Sequence, residues 1–510
     1  NSTIMTPIRF ADVELVNANT MQVMQTGATD GAGAYSFTFP PQNDSVFVRV
    51  IAATDQSTLL YRIRIRMSTG AGTPVGTEPI WSRASANFSG TTTNTTANWT
   101  VLVNPGSSTT ANFDSAPFNI LDIMQKVQDG VRSVVGTLPQ LHGYVTPNQG
   151  DSDAFYGGND QSGAKYVFIG GGAAGMAASS DTNFFDDGVI GHEFGHFLES
   201  AVFKVSSYGG YHEVGQRTIP NVAYGEGFGT WVGGVALNTP LYADAGGFGA
   251  TTLPGFTFNL ESEPVHGTVP HTGTGPHGIY DEIVVFELLW DIVDGGSGPV
   301  DTDNDGISIP LSQVITAMAS FTVNDFITIE SLLQKLDSAN GGPIPTASLT
   351  ALMTLEQTGL SYPPVGTDII PTPLTVGGAA LVRSIDATSA GTPGPYPADC
   401  YNVAEANAFF SFVATSTSHQ VFLDHVAPNG GNIPNDLDVA VLNPNNPFTD
   451  VFVEGGTGVD IHQVNATGLT VGNTYIVWVR GWTSSANPFD LFGSLPLNAA
   501  SLTTYAISVQ

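Results

Sequence analysis

Cysteine is all but missing from this 510-residue chain, where Cys400 stands alone. No intramolecular disulfide can form, and a lone thiol with no histidine beside it reads as packing rather than chemistry. Cations are scarce too. Lys and Arg total 14 against 45 Asp and Glu, a net charge of −31. A chain this acidic repels phosphate backbones and anionic lipid, so nucleic acid and bare membrane surfaces are poor partners. Charged residues of both signs make up 12% of the sequence, about half the usual share. No apolar run reaches the ~20 residues that a membrane-spanning helix needs.

Gly, Ser, Thr and Asn fill the gap left by the missing charges, a texture of β-rich domains with many turns. With 41% hydrophobic and 10% aromatic residues, the chain has enough apolar surface to fold and is not disordered throughout. Cores stop growing near ~250–300 residues, so two to four domains are expected. Low Lys and few thiols suggest a bacterial secreted or surface protein. The first residue, Asn1 rather than Met, gives the expectation of a mature or trimmed form.

Three textures follow one another along the chain. Short apolar or alternating runs at Phe10 to Val16, Tyr35 to Phe39, Val46 to Ala52 and Tyr61 to Met67 read as strands. A Thr/Asn/Ser stretch over 89–110, with a strand-like island at Trp99 to Val103, reads as edge strand plus linker. From 113 the pattern turns helical. Candidates are 118–135, 186–205, 221–237, 280–293, 311–319, 324–336 and 346–357, with one short strand at Lys165 to Ile169. From about Pro371 strand alternation returns at 409–414, 420–423, 438–442, 475–479 and 505–509.

The chemistry concentrates in His192-Glu193-Phe194-Gly195-His196, the HExxH pattern. On a helix, positions i and i+4 share one face, so both imidazoles can reach one ion. Glu193 is offset by about 100°, toward a water on that ion, and could take its proton. Two histidines leave zinc short of one protein ligand. No third histidine follows in the metzincin spacing, because the chain continues Phe197-Leu198-Glu199-Ser200-Ala201-Val202-Phe203. Glu226, Glu199, His212 and Asp187 are the candidates. An oxyanion donor is expected from the Gly/Pro-rich loop holding His266, His271, His277 and Tyr280, with Tyr224 and His212 as alternatives. Asp301-Thr302-Asp303-Asn304-Asp305-Gly306 opens like a calcium loop. Ser312 stands where a complete EF-hand has Glu, so Asp291 or Asp294 would supply the missing charge. Asp151-Ser152-Asp153 with Asn159-Asp160 forms a weaker second calcium candidate.

Several segments resemble known families. Ala223-Tyr224-Gly225-Glu226-Gly227-Phe228-Gly229 looks like the second motif of the gluzincins. That resemblance implies Glu226 as the third zinc ligand, on the next long helix. The 30 residues from His196 to Glu226 exceed the thermolysin-like spacing, and a Gly-rich loop at 206–212 can absorb the excess. Pro117-Phe118-Asn119-Ile120-Leu121-Asp122, HEFGH, Glu226-Gly227-Phe228-Gly229 and Leu289-Trp290-Asp291-Ile292-Val293-Asp294 together resemble bacterial secreted gluzincin-like metallopeptidases. In that pattern Glu282 stands where a Glu precedes the Trp-Asp helix, and it or Asp187 could brace a ligating histidine. The segments 11–16 and 29–37 resemble the carboxypeptidase regulatory-like domain. Gly468 to Val479, the terminal Tyr505 to Val509 and Asp436-Leu437-Asp438 resemble the pre-peptidase C-terminal domain.

The expectation is a multidomain α+β chain. A central, mainly helical zincin-like metallopeptidase domain at 113–361 is flanked by β-sandwiches at 1–112 and 362–510. The expected function is a secreted zinc endopeptidase acting on protein or peptide substrates, with Zn2+ at His192, His196 and Glu226. Glu193 is its general base, His277 or Tyr280 its oxyanion donor, and Ca2+ sits at Asp301, Asp303 and Asp305. The alternative is an extracellular surface, matrix or filament subunit that keeps a peptidase-like fold and self-assembles through its β-rich flanks.

Overall fold

The computed structural model describes residues 6–68, 73–91, 95–98, 115–147, 154–171, 183–203, 220–244, 256–261, 281–295, 306–322, 325–355, 371–386, 407–425, 437–442, 452–454, 461–481 and 502–510. The chain is a mixed α+β protein with several sheets and, among the described residues, seven α-helices. It divides into two compact units. The first is 1–201 with 232–258, and the second is 202–231 with 259–510. Among the described residues no helix is long and apolar enough to cross a membrane.

The first unit opens with an antiparallel sheet. Strands β1 (Asp12–Asn17), β2 (Val23–Ala28), β3 (Ser45–Ile51), β5 (Ser82–Ala84) and β6 (Phe88–Ser89) lie in the order β2-β1-β3-β5, with β6 also on β3. Val13, Leu15, Val46, Val48 and Val50 are buried in it. Tyr35 to Phe39, expected as a strand, joins no ladder among the described residues. The Tyr35 hydroxyl donates to the Ala97 carbonyl instead, and its ring packs near Phe37.

Strand β4 (Ile63–Met67) belongs to a second sheet and keeps isolated bridges, Ala53 to Arg64 and Arg66 to Ile80, with the chain beside β3 and β5. It pairs in parallel with β7 (Leu141–Pro147), which pairs with β9 (Lys165–Gly171), and β8 (Ala154–Asn159) closes the edge antiparallel. The boundary expected at 112 therefore does not separate the sheets. Nor is the next segment strand-poor, since β7 and β8 stand beside the expected strand at 165–169. The physical reason is the helix α1 (Ala116–Val135). Its apolar stripe, Ile120, Leu121, Met124 and Val127, needs an apolar sheet face, and Ile63 and Ile65 of β4 are fully buried. Gly143 of β7 leaves room there for Ile65, Met124 and Ile120. Arg9 pairs with Asp122 at 2.6 Å, and the Tyr61 hydroxyl donates to Asp129 at 2.9 Å. The segments leading into β1 and β4 are thus stitched onto α1.

After the sheet come α2 (Asp187–Leu198), α3 (Pro220–Leu237) and the small ribbon β10 (Leu241–Asp244) with β11 (Phe256–Asn259). Helix α3 is one continuous helix that contributes to both units.

The second unit adds α4 (Glu282–Val293), α5 (Leu311–Ala319), α6 (Ile329–Leu336) and α7 (Thr346–Leu355). Helix α6 starts later than its periodicity predicts because Thr328 caps it, its side chain accepting from Ser331 N while Thr328 N donates to Ser331 Oγ. Nine strands follow among the described residues: β12 (Thr372–Pro373), β13 (Leu381–Asp386), β14 (Asn407–Val413), β15 (Ser418–His425), β16 (Leu437–Leu442), β17 (Phe452–Glu454), β18 (Ile461–Thr467), β19 (Thr474–Gly481) and β20 (Leu502–Val509). They form two sheets, β12-β14-β19-β16-β17 and β13-β20-β15-β18. Phe410, Val439 and Val477 of one sheet share a core with Val421, Val464 and Ile507 of the other. The outer face of the first sheet is apolar as well. Phe409, Ala440, Leu442, Ile476 and Trp478 cluster with Val222 of α3 and Phe326.

Within this unit Glu330, on the first turn of α6, is 1% exposed, and neither carboxyl oxygen meets a hydrogen-bond partner. Burial pushes its pKa up from 4.5 to about 7. Below the unfolded pKa the group is neutral in both states and carries no ionisation penalty; as pH rises from there through about 7 the folded state loses stability, because ionising the buried carboxyl is disfavoured. Glu330→Gln should remove this dependence. Denaturant unfolding at pH 5 and pH 8 is expected to show a wild-type loss about 2–3 kcal/mol larger than the variant's.

Candidate metal centre

Helix α2 carries the HExxH residues on an apolar rod. Val189, Ile190, Phe194, Phe197 and Leu198 are buried, while His192 and His196 are half-buried. Asn119 of α1 anchors the start of the rod, donating to Asp187 Oδ1 at 3.0 Å and to the Phe184 carbonyl at 3.2 Å. Asp187 thus meets α1, and burial raises its pKa. Its position on the first turn of α2 also suits the positive end of the helix dipole.

The spacing of His192 and His196 does what helical geometry predicts. Their rings meet edge-to-face with centroids 4.7 Å apart, and their Nε2 atoms stand 3.1 Å from one another. Two ligands at about 2.0–2.1 Å in a tetrahedral shell would be ~3.3 Å apart, so this separation fits one zinc ion. Glu226 of α3 completes the group. One ligand atom from each of His192, His196 and Glu226 lies within 4.8 Å of the others. Two imidazoles and a carboxylate form a donor set that suits zinc and leaves a fourth position open.

Glycine brings Glu226 there. Gly191 and Gly233 touch across α2 and α3, so closely that a Cβ on Gly191 would stand 2.9 Å from Gly233 Cα. Glu226 precedes Gly233 by seven residues, almost two turns, and so shares its stripe on α3. Helix α3 is otherwise buried and apolar over most of its length, with Val222, Phe228 and Trp231 inaccessible. Glu226 is 6% exposed. A carboxylate held that deeply requires a paired charge, donors or a metal. On another face of α3, a Cβ on Gly227 would meet the Glu282 carbonyl of α4 at 2.9 Å. Glu282 itself is buried on the first turn of α4.

Glu193 is 6% exposed. Glu199, weighed as a competing ligand, is found on the far edge of a histidine ring: its Oε2 lies 2.7 Å from His196 Nδ1. Residues Glu199–Phe203 form a π-helical turn continuing α2. Ser200, next in the chain, receives hydrogen bonds from Tyr156 at 2.8 Å and Lys165 at 3.1 Å. Sequence patterns do not disclose this group, because its members come from β8, β9 and the helix end. Tyr224 is 1% exposed on α3.

Asp160, part of the weaker calcium candidate, belongs to a different network. It lies 2.6 Å from His142 Nδ1 and accepts from Tyr144, Ser162 and the Ala164 amide. Burial alone would raise its pKa, but the bonds from Ser162, His142 and Tyr144 hold it below the usual carboxylate range. Protein donors thus reach both of its carboxylate oxygens. His212, His266, His271, His277, Tyr280, Asp151, Asp153, Asp301, Asp303, Asp305 and Cys400 lie outside the described residues.

No family model matches the chain, and no curated protein matches it. Among solved structures, part of the chain is similar to the pre-peptidase C-terminal domain of a collagenase from Bacillus anthracis. The match covers 28% of this chain and 94% of that one, at 9% identity and a TM-score of 0.17. A likeness this slight carries no functional argument.

The helix contact yields a paired prediction. Gly191→Ala forces α2 and α3 apart and should cost about 1–3 kcal/mol in urea unfolding. Gly130→Ala, in α1, would meet only Ala236, at 3.7 Å or more. That substitution should be neutral or stabilise by up to about 1 kcal/mol.

Proposed function

We propose that this chain is a secreted zinc-dependent peptidase of gluzincin-like type, with Glu193 as general base. The observation that carries the reading is the convergence of His192, His196 and Glu226 within 4.8 Å. Zinc bound by these residues would lower the pKa of its water towards ~7 and polarise a carbonyl. Glu193, adjacent to His192 in the chain and shielded from bulk solvent, accepts the proton of the attacking water and returns it to the leaving amine. Neither histidine can do this while both serve as ligands.

The edge strand β8 supports a peptide substrate. It pairs with β9 on one side and packs against α2. An extended peptide can add to such an edge through main-chain hydrogen bonds, which recognise a backbone rather than a particular side chain. The acidic, thiol-poor composition supports work outside the cell. The carboxypeptidase regulatory-like and pre-peptidase C-terminal-like readings of the flanks, and calcium at Asp301, Asp303 and Asp305, rest on sequence pattern and belong to the same proposal.

Glu193→Gln keeps size and polarity but accepts no proton. It should retain zinc and fold while turnover of a casein substrate falls at least ~100-fold, the low end for a general base. Glu226→Gln should weaken zinc binding as well as rate, measured by competition with a chromophoric chelator. Equal, negligible hydrolysis by wild type and Glu193→Gln across a broad peptide library would overturn the peptidase reading in favour of assembly or adhesion.

A further inference from the structure

The C-terminal end of α2 holds a carboxylate that the proposed reaction does not use. Glu199 is 3% exposed, and its Oε2 lies 2.7 Å from His196 Nδ1. The other nitrogen of that ring, Nε2, faces His192 Nε2. A neutral imidazole carries its proton on one nitrogen and its lone pair on the other. An ionised carboxylate accepts and cannot donate, so beside ionised Glu199 the Nδ1 position carries the proton. The lone pair is then left on Nε2, the atom aimed at the centre.

We propose that Glu199 is a positioning residue that fixes the tautomer and rotation of His196, leaving its Nε2 ready to bind metal. The inference rests on the zinc-peptidase reading above. It assigns Glu199 a role distinct from that of a ligand, because its carboxylate lies on the opposite edge of the ring from the metal-facing nitrogen.

The surroundings hold Glu199 in place. Its neighbour Ser200 is tied to the sheet by Tyr156 of β8 and Lys165 of β9. The β8–β9 register shifts between Tyr156 and Gly158. Gly157 sits in that shift, and a Cβ there would enter the Tyr166 ring. Bulges of this kind re-aim a strand's side chains beside functional sites. The π-helical turn at Glu199–Phe203 is a local distortion often found at such sites too. Bulge and π-turn meet at Ser200, next to the residue that faces His196.

The test compares full-length wild type, Glu199→Ala and Glu199→Gln. In metal-free protein at neutral pH, ring-nitrogen chemical shifts of 15N-labelled His196 should show the Nδ1–H tautomer in wild type. Glu199→Ala should show a mixture. Zinc affinity should fall about 10–100-fold in Glu199→Ala, the usual cost of losing such a partner. Glu199→Gln, whose amide oxygen still accepts from Nδ1–H, should recover most of both signals. It also serves as the folded comparison if the alanine variant is unstable. An unchanged tautomer and unchanged zinc affinity in Glu199→Ala would overturn the proposal while leaving the zinc site standing. Failure of wild type to bind zinc would instead overturn the peptidase reading, with the metal-free tautomer comparison still deciding whether Glu199 orients His196.

Discussion

The candidate centre depends on the backbone contact between α2 and α3 at Gly191 and Gly233. Two helices bearing ordinary side chains pack with axes 8–10 Å apart. Here neither residue has a Cβ, and the backbones meet directly. That closeness matters because glutamate and histidine must reach a common point with short side chains. A larger residue at either glycine would push Glu226 outward along with the helix that bears it. Gly227 does the same for α3 and α4. The glycines of α3 cost helix stability. Burial of its apolar surface offsets that cost.

A second constraint comes from charge. With 14 cationic side chains for 45 acids, lysine and arginine are too few to pair with every carboxylate. Backbone amides and hydroxyls take that part. Asp12 accepts from the amides of Asp55 and Gln56, and Asp337 from the Ala339 amide and Thr346. Asp12 shows the limit of this solution. Burial still dominates there, and its pKa is raised to about 6 despite both bonds. Arg9 joins the start of the chain to α1 through Asp122, while Lys126 and Arg132 pair within α1 itself. In the same economy Glu199 and Glu226 converge on the histidines of α2.

Helix periodicity is legible in the residues themselves. The apolar spacings over 118–135, 221–237 and 311–319 correspond closely to α1, α3 and α5. The alternation after residue 405 corresponds to β14, β15, β16, β19 and β20. Strand β7 is not legible in this way, because its buried faces include His142, Gly143 and Tyr144, none of which reads as apolar alternation. Nor is the departure of β4. Ile63-Arg64-Ile65-Arg66 announces a strand, but nothing in four residues names the sheet it will join.

The same division runs through the candidate site. That His192 and His196 share one helical face follows from the order of residues, since a four-residue interval on α2 allows nothing else. The motif around Glu226 marks that residue too. Tertiary packing alone settles that Glu226 comes within 4.8 Å of both histidines, that Asp187 turns to α1, and that Glu199 lies behind a histidine ring rather than on the metal side. Periodicity is set by residues a turn apart, so it survives in the linear pattern. Convergence is set by which backbones can touch, and that depends on partners far apart in the chain.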